Sequence, residues 1–295
     1  MTLTEDIRAA AARVAARARS VRIDEDAIEP YARTLSAQSP PAPDIDGDEE
    51  TRAAFSLQLN AINFGSGWFP TLRKREGMSG FRTIEAGLKA RGPWSAAELA
   101  SITREEIAPA MGQDREHVLM GHFERHLREL GTNALGYGSF LALARAGHGS
   151  AEALATILAG WETWRDVSPY DGFEVPLFKR AQIAAADLAL AGIAPAGDLD
   201  RLTLFADNLV PHVLRVDGVL ELDAALVARI EAGELLEHDS PEEVEIRACA
   251  LHAVELLVAA HGATTATAVD NVLWNRGGEP RYKARPRHRA PCTQY

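Results

Sequence analysis

Helical periodicity is the feature that most constrains the fold of this chain. Apolar residues recur every three or four positions in nine stretches, at residues 7–18, 97–110, 115–130, 151–164, 175–191, 202–210, 222–232, 241–260 and 263–274. Alternating β-branched patterns are scarce. Ser240, Pro241 and the two glutamates after them form a typical helix start. The pattern predicts an all-α protein with medium helices and short connections.

The 295 residues are enough for a substantial core. We expect one helical domain over residues 1–295, with two closely packed subdomains at about 1–130 and 131–295 as a variant. Residues 37–50 are rich in Pro and Asp and predict a loop. Residues 64–80 are Gly-rich, aromatic and basic, and predict a second irregular segment. Trp68 and Phe69 in that segment either line a binding site or anchor the loop on the core.

Charge and composition limit the partners of the chain. A net charge of -11 argues against stable nucleic-acid binding, which needs a basic surface. No apolar run reaches the length that spans a bilayer, so no membrane partner is expected. Two cysteines fit a reducing cytosol, and a cytoplasmic location is expected. The basic stretch 276–289 is either a solvated tail or a folded-back strap that attracts a small anion.

Several kinds of chemistry lack their motifs. There is no GxGxxG after a strand and no P-loop, so no nucleotide cofactor is expected. HExxH is absent, and the histidines do not form a zinc-type pattern, so no metal is expected. No GxSxG elbow occurs.

Polar residues within otherwise apolar segments are the remaining candidates for a site, because buried charge needs a partner. They are Lys179, Arg180, Asp207 and Asn208 in one part of the chain and Asp270, Asn271 and Asn275 in another. Carboxylates and amides beside an aromatic ring suit a heterocyclic base. The structural alternatives are an ion pair of Asp207 with Arg215 or Lys179, helix capping by Asp270 and Asn271, and a surface basic pair at 179–180. Pro211 is expected to break or kink the helix predicted over 202–210.

Two motifs, KRAQI at 179–183 and FAD-x-x-VP at 205–211, occur in one order with blocks at 60–64, 164–166 and 243–255. This combination resembles the queuosine salvage family. The resemblance implies a queuosine 5'-phosphate N-glycosidase with a fold similar to helix-hairpin-helix DNA glycosylases. The chain departs from the family pattern at Asn60 and Asn275, where the family usually carries acidic residues.

The resemblance also implies roles for the candidate residues. Asp207 and Lys179 are expected to be catalytic, with Asp207 stabilising the sugar cation and orienting water. Phe205 would lie against the base, and the base or ribose edge would be bound by Asn208, Asp270, Asn271 and Asn275. Lys179, with Arg180 and tail arginines, would meet the 5'-phosphate.

The expected partner is therefore a small-molecule substrate, without a cofactor or metal. Two other functions are compatible with the sequence. One is a glycosidase for another modified purine nucleotide. The other is a non-catalytic helical binding protein for a nucleobase-like ligand or tRNA. The acidic composition disfavours tRNA and also disfavours a DNA glycosylase.

Overall fold

The computed structural model describes residues 1–295 and is mostly helical, with 57% helix and 5% strand. The helices are α1 (Leu3–Ala15), α2 (Glu25–Ala32), α3 (Glu49–Ala61), α4 (Gly80–Arg91), α5 (Ala96–Ser101), α6 (Arg104–Met111), α7 (Val118–Tyr137), α8 (Phe140–Ala144), α9 (Ala151–Ala159), α10 (Lys179–Leu190), α11 (Val210–Val216), α12 (Ala224–Glu231), α13 (Pro241–His261), α14 (Ala266–Arg276) and α15 (Pro280–Lys283). Short 3-10 turns lie at Phe69–Thr71, Arg145–Gly147, Glu162–Trp164 and Leu199–Arg201.

Four short strands add two small antiparallel sheets to the predicted helices. Strand β1 (Val21–Ile23) pairs with β4 (Leu220–Leu222), and β2 (Val167–Tyr170) pairs with β3 (Phe173–Pro176). The expectation of an all-α protein is therefore confirmed only as a mostly helical one.

The chain divides into two compact units, each built from separate stretches of sequence. Unit 1 contains Met1–Pro41, Asp166–Lys179 and Asp198–Pro291. Unit 2 contains Ala42–Arg165, Arg180–Gly197 and Cys292–Tyr295. Residue 130, near which a subdomain boundary was expected, lies inside α7. We retain one domain over 1–295 as a proposal.

Helix α13 is the central element of unit 1. Helices α1, α2, α11 and α14 pack on it, and most of its side chains are buried on every face. The helix begins as the sequence predicts, because the Ser240 hydroxyl accepts from the backbone N–H of Glu243 at 3.4 Å. Its apolar faces meet the buried side of α1, where Ile7 and Val14 are fully enclosed. Charged residues in the middle of α13 therefore lie inside unit 1.

Unit 2 is arranged around α7, which contacts α3, α5, α6 and α8. Phe123 and Leu127 on α7 are fully buried. Gly131 permits the close approach of α5, since a Cβ there would lie 2.5 Å from the Cβ of Leu99. A larger residue at 131 would push the two helices apart.

The predicted helices differ from the observed ones in informative ways. The stretch 97–110 forms two helices, because Thr103 starts α6 with a capping box to Glu106. The helix predicted over 175–191 is wrong for its first four residues. Val175 and Pro176 belong to β3, and Phe178 adopts the left-handed φ of 47° before α10 begins. Strands and turns of this length leave no clear period in a sequence.

The helix predicted over 202–210 is also wrong. Residues 202–207 form neither helix nor strand, and α11 starts only at Val210. Because the backbone is extended at Leu202, where these residues begin, we refer to 202–207 as the extended segment. Pro211 does not break a helix; it lies in the first turn of α11, where a missing N–H is tolerated. Within this segment the Ala206 N–H donates to the Leu204 carbonyl at 3.0 Å, and other backbone groups bond to side chains of α13 and α14. The two irregular segments at 37–50 and 64–80 are confirmed in most of their length.

None of the helices alone has the length and apolar composition to cross a membrane. Helices α13 and α14 reach that threshold only when taken together, and the chain bends by 113° between them.

Candidate active site

Asp207 lies at the end of the extended segment, directly before α11. Its Oδ1 atom accepts from the backbone N–H groups of Leu209 at 2.7 Å and Val210 at 3.2 Å. These are N–H groups of the helix start, which have no partner within the helix and which favour negative charge. Both bonds use Oδ1, which leaves Oδ2 for a water molecule or a ligand. The expected alternative, an ion pair with Arg215 or Lys179, is not formed.

Asp270 on α14 is held against the same segment. Its Oδ1 atom accepts from the backbone N–H of Phe205 at 3.3 Å, and Asp270 is only 8% exposed. Gly277 at the end of α14 contacts Leu209 so closely that a Cβ there would lie 2.6 Å from Leu209 Cδ1. The structure therefore brings Phe205, Asp207 and Asp270 into one region of unit 1.

The two asparagines of α14 behave differently from Asp270. Asn275 is exposed, and its Nδ2 donates to the carbonyl of Asn271 at 2.8 Å and to its side-chain Oδ1 at 3.2 Å. This pair is local to the helix surface. Asn208 is buried, and its Nδ2 donates to the carbonyl of His288 at 3.0 Å.

Lys179 occupies the first position of α10 and is 4% exposed. Three backbone N–H groups around it converge on Asp166. Leu177 and Phe178 donate to the Asp166 carbonyl at 2.9 and 3.4 Å, and Lys179 donates to the Asp166 carboxylate at 3.0 Å. Asp166 thus fixes the turn from which the Lys179 side chain leaves.

Asp166 and Arg247 are two residues to which sequence reasoning assigned no role. The Arg247 guanidinium donates to Asp166 Oδ1 at 3.0 Å and Oδ2 at 2.8 Å, and its Nε donates to the Ala206 carbonyl at 3.0 Å. Glu243, one turn earlier on α13, lies 3.7 Å from the same guanidinium. The signal available in the sequence was the spacing of Glu243 and Arg247, i and i+4 on an otherwise apolar helix.

The basic stretch after α14 is a folded-back strap, which we define as residues 282–290. His212 on α11 contacts the Tyr282 carbonyl at 2.9 Å, and Arg215 donates to the Pro286 carbonyl at 2.7 Å. The solvated-tail alternative is therefore wrong. Within the strap, burial lowers the pKa of Arg287, and the nearby Asp207 carboxylate opposes that change. The strap thus carries positive charge toward Asp207.

Two buried imidazoles in unit 1 are held neutral. Burial lowers the pKa of His212 to about 4 and the pKa of His288 to about 3. Neighbouring arginines, Arg215 beside His212 and Arg247 beside His288, act in the same direction. A neutral imidazole keeps one nitrogen as an acceptor. The cations of the strap region are therefore its arginines and Lys283.

Arg180 belongs to unit 2 and is 1% exposed. Its guanidinium donates to the carbonyls of Ala61, at 2.9 Å, and Thr163, and it lies 5.3 Å from the Phe64 ring centre and 5.1 Å from that of Trp164. These contacts give Arg180 a scaffold role at the end of α3. They argue against the direct phosphate contact that the sequence suggested.

Two other features fit the expected chemistry less well. A cleft of about 380 Å³ lies at the β2–β3 turn and is lined by none of the predicted site residues. His238, Asp239 and Glu243 place their ligand atoms within 4.8 Å of one another, which is a metal-type grouping. The Arg247 guanidinium beside Glu243 opposes a cation there. The Asp207 region therefore remains the better candidate.

Comparison with known proteins shows which family this chain resembles. Residues 44–295 match the family model described as queuosine salvage protein. A Sphaerobacter thermophilus protein named queuosine 5'-phosphate N-glycosylase/hydrolase is 33% identical over 308 residues, which cover 96% of this chain and 95% of that protein. A protein of the same name from Bos taurus is 30% identical, covering 68% and 66% of the two chains. One from Schizosaccharomyces pombe is 33% identical, covering 48% and 43%.

The matched region contains every candidate site residue of the Asp207 region, and the similarity to the Sphaerobacter protein extends over nearly the whole of both chains. This protein belongs to the queuosine salvage protein family.

Proposed function

We propose that this protein hydrolyses the N-glycosidic bond of queuosine 5'-phosphate and releases queuine and ribose 5-phosphate, so that queuine returns to tRNA modification. Family membership supports this reaction. The structural observation that carries it is the Asp207 carboxylate, oriented by two N–H groups at the start of α11 through one oxygen only.

In this reaction the bond between ribose C1' and the base nitrogen breaks, and its electron pair leaves with the base. Positive charge develops on the ribose, and Asp207 stabilises it through space. A water oxygen then bonds to C1' and Asp207 accepts the released water proton. This proton passes through solvent to the departing base nitrogen, which regenerates the Asp207 carboxylate. The 7-deaza base lacks the imidazole nitrogen that purine glycosidases can protonate, so fixed charges must supply more of the rate enhancement.

Base recognition is assigned to the residues around the extended segment. Phe205 is 7% exposed and offers its ring to the base. Asp270 lies next to it and suits the ring N–H and amino groups of a deazaguanine. We propose that Asn208 and Asn271 hydrogen-bond to the remaining polar edge of the base, and that exposed Asn275 lies at the rim of the site.

Phosphate recognition is assigned to Lys179 and the strap, with Arg287 as its main cation. The attraction between the Arg287 guanidinium and the Asp207 carboxylate supports a position of Arg287 close to the sugar. A phosphate would lower the cost of keeping several arginines together there, because their like charges repel. Arg180 is not included, since its two terminal nitrogens donate to backbone carbonyls of unit 2.

The first experiment incubates the purified protein with queuosine 5'-phosphate and measures queuine and ribose 5-phosphate by mass spectrometry. The variant Asp207→Asn should lose turnover by about 1,000-fold or more, because the carboxylate charge is removed. It should still bind queuine in calorimetry. Wild-type turnover in this variant would remove Asp207 from the mechanism.

The second experiment compares queuosine 5'-phosphate with queuosine. The nucleotide should have the higher kcat/KM, and Arg287→Ala should reduce that preference by about tenfold, the value of a charge-assisted bond. Arg281→Ala is the matched control, because Arg281 pairs with Asp217 at 2.8 Å. Equal rates on both substrates in the wild-type protein would contradict the phosphate assignment.

Two alternative functions give different results in these assays. Release of guanine or adenine at the rate of queuine would indicate a glycosidase for another purine nucleotide. Tight binding of queuine without any turnover would indicate a non-catalytic binding protein. We further propose a likeness to the helix-hairpin-helix DNA glycosylase fold, a cytoplasmic location, and the lack of stable nucleic-acid or membrane binding, in keeping with the net charge of -11.

A further inference from the structure

We propose that the buried pair of Asp166 and Arg247 is a positioning element for the reaction, because it fixes the backbone at both Lys179 and Asp207. This inference rests on the proposed function. It assigns a role to two residues outside the expected catalytic and substrate-binding set.

Stability alone does not account for this pair. Asp166 is 2% exposed and Arg247 is fully buried. Removing two such charges from water costs several kcal/mol per ion, and well-packed apolar residues often replace a buried pair without loss of stability. The hydrogen bonds that the pair makes with the backbone therefore provide a better reason for its presence.

The Asp166 end of the pair sets the turn before α10. Its carbonyl and carboxylate accept the N–H groups of Leu177, Phe178 and Lys179. Phe178 has φ of 47°, a left-handed backbone conformation that is unfavourable for a residue with a β-carbon. The three bonds hold this conformation and fix where the Lys179 side chain begins.

The Arg247 end sets the extended segment. Its Nε donates to the carbonyl of Ala206, the residue immediately before Asp207. The two terminal nitrogens of the same planar group bind both oxygens of Asp166. A planar guanidinium holds these partners in a fixed relation, whereas a lysine ammonium has no comparable geometry.

The pair thus forms a continuous link of hydrogen bonds from the Lys179 N–H to the Ala206 carbonyl. Asp207 is additionally tied to α11, and Phe205 to Asp270. Breaking the link frees the backbone on one side of Asp207 while its capping bonds remain. A misplacement of about 1 Å at a reacting group can lower a rate by about 100-fold.

The experiment uses the full chain and two conservative variants. Arg247→Lys keeps the charge and removes the planar fork. Asp166→Asn keeps the size and an acceptor and removes the charge. For each, kcat and KM for queuosine 5'-phosphate are measured per folded protein, and queuine affinity is measured by calorimetry. We expect kcat to fall by about 100-fold while KM and queuine affinity stay within about threefold.

A double variant, Asp166→Leu with Arg247→Met, separates positioning from stability. Its melting temperature should equal or exceed that of the conservative variants, because neither Asp166 nor Arg247 is left buried without its partner, and Glu243 keeps the His238 imidazole at 3.5 Å. Its kcat should nevertheless remain low. Recovery of the wild-type kcat in this apolar variant would overturn the inference, as would an unchanged kcat in both conservative variants or a parallel loss of kcat and queuine affinity.

Tyr170→Phe is the matched control. It removes a buried hydrogen bond of 2.8 Å to Glu245, which lies on α13 like Arg247. The substitution changes neither the turn at Lys179 nor the extended segment. Its kcat should stay within about twofold of wild type. If Asp207→Asn retains full activity, Asp207 is not the catalytic carboxylate and the proposed mechanism fails. If Asp207→Asn is inactive and the Asp166 and Arg247 variants are fully active, only the positioning role fails.

Discussion

Acidification should destabilise unit 1 through two buried histidines, His212 on α11 and His288 in the strap. His212 and His288 are 4% and 3% exposed. Burial lowers the pKa of His212 to about 4, although its bond to the Tyr282 carbonyl opposes the change. Burial lowers the pKa of His288 to about 3, where Glu243 opposes and Arg247 and Arg287 reinforce the change.

The sign follows from comparing folded and unfolded chains. In the unfolded chain an imidazole has a pKa near 6.5, whereas both folded values lie lower. The folded protein therefore resists protonation. The stability that these neutral imidazoles contribute is complete above pH 6.5 and is lost as pH falls toward 4 for His212 and 3 for His288. At pH 5 each has lost about 2 kcal/mol, or about 4 kcal/mol together.

The assay is urea unfolding at pH 7 and pH 5, for the wild-type protein and for His212→Gln with His288→Gln. The wild-type protein should lose about 4 kcal/mol more of unfolding free energy between the two pH values than the double variant does. Carboxylates that titrate in this range are common to both proteins and cancel in the comparison. Parallel losses in the two proteins would refute the argument that these rings are buried in the neutral form.

Two further substitutions test the packing described above. Gly277→Ala should cost about 1–3 kcal/mol in thermal unfolding and lower kcat, because its Cβ would lie 2.6 Å from Leu209 Cδ1, next to the N–H that orients Asp207; an unchanged melting temperature would contradict this close contact. Arg180→Met should destabilise the protein by about 3 kcal/mol through two lost charge-assisted bonds, while KM per folded protein stays the same. A large rise in KM at wild-type stability would return Arg180 to the substrate site.

Much of the helical content could be predicted because its determinants are local. Helix α13 was predicted within one residue at each end, since Ser240 and Pro241 mark its start and Gly262, with φ of 71°, its end. Helices α2, α3 and α4 were not predicted. The apolar pattern of α3 is blurred because nine consecutive residues, polar Gln58 and Asn60 among them, are buried. Periodicity requires one exposed face, and α3 has little of one.

Part of the candidate site could also be predicted, because its residues stand out from their local sequence. Phe205, Asp207 and Asp270 were selected as polar or aromatic residues in unusual surroundings, and the structure brings them into one region. The positions of Arg180 and Asn275 could not be predicted. Whether a charged residue meets a ligand or a backbone carbonyl depends on contacts between distant segments, and one sequence does not contain that information.

The wrong helix prediction over residues 202–210 is itself informative. The extended segment has helical periodicity, and a local rule therefore predicts a helix. Its backbone instead bonds to Asp270, 65 residues away from Phe205, and to Arg247, 41 residues away from Ala206. Such bonds replace those of a helix only if both partners are already held in place, as Arg247 is by Asp166. Local preference is overruled where the chain must present a particular group. Asp207 is the last residue of this segment, so the failure of the helix prediction itself marks the position where a functional side chain should be sought.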